Sequence, residues 1–167
     1  MTIKHKGQRV AVLIDVQNLY HSAKHLYKSR VDFKQVLNLG VSKRTLIRSF
    51  AYVISTKSGE EKSFFDALTN LGIETRIKDL QEYQGGFKKG DWDVGMVIDA
   101  IRLSNNIDAI VLVTGDGDFV PLVEYLQNKG IRVEVAGFKR SSSSRLIEAA
   151  DEFMNLEDNP KKYLLKK

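Results

Sequence analysis

The chain has 167 residues, 43% of them hydrophobic, which suits one domain with a full core. It contains no cysteine, so disulfides, zinc–thiolate sites and thiol nucleophiles are excluded, and its apolar runs fall far short of the ~20 residues that cross a bilayer. The net charge is +5, a modest excess that gains meaning if a group of acids is sequestered in one site, because the remaining surface then faces a polyanion as a positive field.

Met1 to Lys6 is basic but lacks the apolar stretch of a signal peptide, so a cytoplasmic protein with no membrane partner is expected. Arg9-Val-Ala-Val-Leu-Ile14 reads as a buried strand ending at Asp15, followed by a helix from about Asn18 to Tyr27. Asp32 to Leu39 reads as a short helix capped by Asp32, and Thr45 to Ser55 as a second strand. Glu60 to Leu71 is amphipathic and stopped by Gly72; Ile73 to Ile77 is a third strand. Gln84 to Gly90 is glycine-rich and reads as a loop. A helix is expected from Trp92 to Leu103, with Val94, Val97, Ile98 and Ile101 as its core stripe. Ile110-Val-Leu-Val113 is a fourth strand, then come a helix from about Phe119 to Asn128, a fifth strand from Ile131 to Val135 and a short helix from Ser144 to Ala150. Residues 1–158 form the expected domain, and 159–167 a frayed basic tail.

Strands alternating with helices at this spacing mean an α/β fold with a parallel sheet covered on both faces. The commonest arrangement, strand order 3-2-1-4-5, sets the first and fourth strands side by side. Asp15 and the turn Thr114-Gly-Asp-Gly-Asp-Phe119 then meet at the switch point, at the carboxyl edge where open sheets take ligands.

Asp116 and Asp118, two residues apart on a glycine-bearing turn, suit a hard divalent cation. Taken singly, Asp15 reads equally as a helix cap, and Asn18 lies one turn on, where its amide could face the same point. Asp93 opens the helix before the fourth strand, where the helix dipole also favours an acid. Asp99 is six residues later, about 120° around the axis, so both cannot point squarely at one ion. Asp93 is the expected ligand, and Asp99 is expected to orient a neighbour or hold the Thr114 turn. Lys88 and Lys89, and Lys139 and Arg140 beside Phe138, are candidate phosphate contacts, as are Ser141 to Ser144; solvated lysines and a flexible connector are the competing readings. Gly115-Asp-Gly117 lacks the spacing of a dinucleotide fingerprint, and no P-loop exists. His21 and His25 are four apart with no Glu between them in the metalloprotease arrangement, and read as an exposed or interfacial pair.

Leu13-Ile-Asp-Val-Gln-Asn18, Lys89-Gly-Asp-Trp-Asp-Val94 with Asp99, and Val113 to Leu122 together resemble the NYN domain proteins of the LabA/DUF88 group, within the PIN-like nuclease superfamily. The resemblance spans about residues 9 to 156. It implies a PIN-like three-layer α/β/α sandwich and an acidic pocket for Mg²⁺ or Mn²⁺. The acids it carries over are Asp15, Asp93, Asp116 and Asp118, with Asn18 and Thr114 in support. Its expected activity is RNA cleavage, on single-stranded or structured RNA. One departure is an extra residue at Asp91-Trp92, which shifts Lys89 relative to the acids. An RNA-binding or regulatory module with little turnover, and a homo-oligomeric scaffold with a structural cation, are the competing readings.

Overall fold

A computed structural model describes residues 4–56, 58–59, 61–82, 88–89 and 91–166. The elements in chain order are β1 (Arg9–Asp15), α1 (Val16–Tyr27), α2 (Phe33–Val41), β2 (Thr45–Ser55), α3 (Lys62–Asn70), β3 (Glu74–Asp79), β4 (Gln81–Glu82), β5 (Lys88–Lys89), α4 (Asp93–Leu103), β6 (Ala109–Val113), α5 (Val120–Asn128), β7 (Arg132–Gly137), α6 (Ser144–Ala149), β8 (Glu152–Asn155) and α7 (Pro160–Tyr163). Six strands form one parallel sheet in the order β3-β2-β1-β6-β7-β8. This is the expected order with one further strand, β8, at the edge.

The sheet separates two cores. Val10, Val12 and Ile14 of β1 face α1, α2, α3 and α7, joined by Leu19, Val36 and Leu68. Ala11 and Leu13, one step out of phase, face α4, α5 and α6, joined by Met96, Val123 and Leu146. Strands β1 and β6 are therefore apolar on both faces, as a helix-covered parallel sheet requires, and the architecture is the expected three-layer α/β/α sandwich.

Four local expectations are corrected. The core stripe of α4 is Met96, Asp99, Ala100 and Leu103. Val94, Ile98 and Ile101 lie exposed, Val94 at 71%. The helix carries apolar side chains on two faces, so periodicity alone could not choose between them. The buried face includes a carboxylate because Tyr52 donates to Asp99 Oδ2 at 2.8 Å and Arg76 Nε lies 3.3 Å from the same oxygen. Within the stretch expected as a loop, Gln84 to Gly90, the two residues Lys88 and Lys89 form β5 and pair antiparallel with β4 just before it; the remaining positions lie outside the described residues. Strand β8 was not anticipated, because Glu-Phe-Met-Asn is short and polar at both ends. The tail is docked over its described residues. Tyr163 is buried, its carbonyl accepts from Asp32 N at 2.8 Å, and Leu165 N donates to Arg30 O at 2.7 Å.

The sheet also holds a buried ion network. Arg44, just before β2, makes a two-pronged pair with Glu134 of β7 at 2.8 and 2.9 Å, both side chains inaccessible to solvent. Arg132 Nε adds a further bond to Glu134 at 2.8 Å, and Arg44 also donates to the carbonyls of Gly40 and Val41. Burial works against ionising Glu134, but the hydrogen bonds from Arg44 and Arg132 outweigh it and hold the carboxyl below its ordinary range. Losing Arg44 removes the fully buried cation from Glu134 and leaves that carboxylate to Arg132 and to Lys4 at 3.7 Å. Arg44→Ala should therefore destabilise the fold by about 3–5 kcal/mol in urea denaturation, whereas Arg9→Ala, at the exposed pair with Asp108, should leave the unfolding midpoint nearly unchanged.

Candidate metal centre

Parallel pairing of β1 with β6 runs in register up to Ile14 opposite Val113. The next residues, Asp15 and Thr114, therefore emerge side by side at the carboxyl edge. Thr114 is fully buried; its Oγ1 donates to Asp15 Oδ2 at 2.9 Å and accepts from Asp116 N at 3.2 Å. The other Asp15 oxygen caps α1 by accepting from Asn18 N at 3.3 Å. Asn18 Oδ1 in turn accepts from Gly115 N at 2.9 Å. Asp116 Oδ1 accepts from Asp118 N at 2.9 Å, closing the turn on itself. Asn18 and Thr114 thus fasten the turn to α1 and β1.

The two glycines of this turn are needed for close approach. A Cβ on Gly115 would lie 2.9 Å from the Ser141 carbonyl oxygen and 2.8 Å from Ser142 Oγ; one on Gly117 would lie 2.7 Å from Ser143 Oγ. The serine segment expected as a phosphate contact or connector is the clasp behind the acidic turn. Ser143 N donates to Gly115 O, Ser142 Oγ to Phe138 O, and Ser143 Oγ caps α6.

Carboxylate oxygens of Asp93, Asp116 and Asp118 all lie within 4.8 Å of one another. Asp15 lines the same cleft, a space of about 190 Å³, beside this trio, with both its oxygens engaged as above. Among the described residues none of the four has a basic partner at ion-pair distance. Burial and then the charges of Asp116, Asp91, Asp15 and Asp118 push Asp93 up to about 6. Burial also raises Asp15, against the hydrogen bonds from Thr114 and Asn18, with Asp116 and Asp91 adding to the rise.

The other expected site residues are placed differently. Asp99 does not reach the Thr114 turn; it orients Tyr52, which itself lines the cleft. Arg140 is bound to Glu157 through its Nε at 2.7 Å and stacks over Tyr27. Lys139 is exposed, and Phe138 is buried rather than forming a lip. The side chains of Lys88 and Lys89 lie outside the described residues.

Besides Tyr52, cleft residues that the sequence does not single out include Asp91, Trp92 and His21. Asp91 was read only as part of an insertion, yet it lines the cleft and its charge acts on both Asp15 and Asp93. The signal was available: Asp91 and Asp93 flank Trp92 as Asp116 and Asp118 flank Gly117. Trp92 forms a wall, its indole donating to Val53 O at 2.9 Å and its ring lying against Gly95, where a Cβ would meet it at 2.5 Å. Lys78 sits 4.5 Å over that ring and donates to Asp91 O, fixing the Asp91–Trp92 segment from β3. His21, read as an exposed or interfacial partner of His25, also borders the cleft.

Mutual repulsion among these carboxylates depends on pH, and a bound cation would relieve it. A raised carboxyl favours the folded state at low pH and opposes it once ionised, so that part of stability declines as pH rises through about 6. Mn²⁺ should therefore raise the melting temperature of the wild type at pH 7.5, and the gain should shrink on acidification below pH 6. Asp93→Asn should flatten both trends; thermal scans with Mn²⁺ or EDTA across that range read them.

The NYN domain family matches residues 9–157. The low amplitude and bright protein LabA of Synechococcus elongatus is 28% identical over 161 residues, covering 92% of this chain and 86% of that protein. Protein MJ0482 of Methanocaldococcus jannaschii is 28% identical over 151 residues, covering 89% of this chain but only 55% of its own length. The crystal structure of VPA0982 from Vibrio parahaemolyticus superposes with a TM-score of 0.86 at 35% identity, over 99% of this chain and all of that one.

Proposed function

Because the chain belongs to the NYN domain family, a nuclease-like group, we propose that it is a metal-dependent ribonuclease acting at the Asp93, Asp116 and Asp118 cluster. The observation that carries this reading is the meeting of those three carboxylates, without a cationic partner among the described residues, at the carboxyl edge of a parallel sheet. Such an all-oxygen donor set fits Mg²⁺ or Mn²⁺, and the raised Asp93 carboxyl marks a charge excess that a dication would relieve. Asp93, Asp116 and Asp118 would hold the ion, with Asp15 beside them. A cation there supplies a water activated as nucleophile and neutralises charge on the phosphoryl oxygens.

The remaining work belongs to the chain's own groups. Thr114 and Asn18 hold Asp15 and the Gly115 turn in one arrangement, so the carboxylates need not reorganise when substrate arrives. Trp92 and Tyr52 wall the cleft with packed aromatic surface and limit bulk water on that side. The acids position and need not exchange protons. A splayed single strand reaches a shallow edge cleft more readily than a stiff duplex, which favours single-stranded or looped RNA as substrate.

The test is cleavage of end-labelled single-stranded RNA in Mn²⁺. Wild type should cut and be stopped by EDTA, and Asp116→Asn should lose more than about 100-fold in rate. Thr114→Val removes only the hydroxyl that ties Asp15 to the turn, and should lose about 10–100-fold, as supports of metal ligands do. RNA binding by both wild type and Asp116→Asn with no cleavage by either would replace this reading with a binding module.

A further inference from the structure

Beside the acidic cleft lies a second, larger depression of about 390 Å³, within the roughly 300–1,000 Å³ of small-molecule sites. Its walls are apolar and aromatic: Tyr20 from α1, Phe33 from α2, Val53 and Ile54 from β2, and Phe64 and Phe65 from α3. Gln17 and Ile54 border both spaces, so the two adjoin along one wall. On its far side the depression opens into a basin of about 220 Å³ that shares Tyr20 and Arg30 with it and is lined by Lys24, Lys28 and Lys166. Among the described residues no carboxylate pairs with any of these four cations. Acidic cleft, aromatic pocket and cationic basin thus follow one another along the face of α1.

We infer that the aromatic pocket takes a nucleobase of a single-stranded RNA whose flanking phosphates lie in the basin of Lys24, Lys28, Arg30 and Lys166. This rests on the ribonuclease reading and extends it to the substrate's path. Charge complementarity selects the occupant. The basin is cationic and suits phosphate, whereas the pocket is mainly apolar and its two charged lining residues, Arg30 and Glu61 (held by Thr56 N at 3.2 Å), are opposite in sign, so a neutral ring is the fitting group there. Tyr20 stands between pocket and basin, 44% exposed although aromatic, with Lys24 Nζ 5.7 Å from its ring. An exposed ring beside cations is how sequence-tolerant single-strand sites bind bases.

The experiment measures, in EDTA, fluorescence anisotropy of a labelled RNA of about 12 nucleotides and of an abasic strand of equal length and charge. Tyr20→Ala should weaken the RNA about 10-fold and leave the abasic strand unchanged. Lys24→Glu should weaken both strands alike, and more at low salt. Tyr20 is exposed, so the variant keeps its core. Equal binding of RNA by wild type and Tyr20→Ala, or equal loss for both strands, in a protein that still cleaves RNA in Mn²⁺ would overturn the base pocket and leave the ribonuclease reading intact. Neither binding nor cleavage by the wild type would overturn both.

Discussion

Pairing of β1 with β6 is the constraint on which the candidate centre depends. Two strands about a hundred residues apart in sequence run in register until their last apolar positions, and the two residues that follow are Asp15 and Thr114. One hydroxyl then does two things at once, donating to the carboxylate of one segment and accepting from the backbone of the other. Both strands are apolar on both faces, so neither can shift without emptying part of two cores. Asp15 and the backbone of the Asp116 turn are consequently held close by packing that has nothing to do with their chemistry.

Much of this was legible in the residues. Uninterrupted apolar runs ending in Asp15 and at Thr114 identified central strands, and crossover rules then set their ends together. Glycines between the acids indicated a turn tight enough to aim them. Side-chain direction within an element was less legible. On α4 two apolar stripes competed, and the buried one carries Asp99, which a reading by hydrophobicity places outward. It lies inward because Tyr52 and Arg76 satisfy it, partners from strands β2 and β3 that no local pattern could nominate. Arg140 is a candidate phosphate contact by composition alone, and its partner Glu157 is equally hidden from local pattern, since it comes from a turn after an unanticipated strand. The tail was read as frayed on composition alone. Its docking depends on Tyr163 and on backbone bonds to Asp32 and Arg30, all of which require the fold first.

Asp91 and Trp92 show a different limit. Viewed as an insertion, they only displaced a neighbouring lysine. In the fold, Trp92 spans the start of α4, covering Gly95 and bonding to Val53, and this carries Asp91 to the mouth of the cleft. The indole therefore sets both a wall and a charge. Lys78 stacks on the ring and holds the Asp91 carbonyl, so its cation serves placement.

Two carboxyls, one buried in the sheet and one half-buried at its edge, make the decisive comparison. Glu134 sits beneath β7 with Arg44 and Arg132 upon it, and its carboxyl is held low. Asp93 sits at the carboxyl edge of the sheet, where burial and then the charges of Asp116, Asp91, Asp15 and Asp118 push its carboxyl up to about 6. Burial opposes ionisation in both, so the opposite outcomes follow from whether the chain supplies the cations. At Glu134 it does, and the group is a closed structural ion pair. Among the described residues no cation pairs with Asp93, Asp116 or Asp118, although Lys and Arg outnumber acids in the chain and cations line the basin beyond the aromatic pocket. That contrast with the arginine buried against Glu134 is what supports the proposal that the cluster takes a cation from outside. The same segregation keeps the cationic basin available to a polyanion, because cations paired within the cleft would have cancelled both fields.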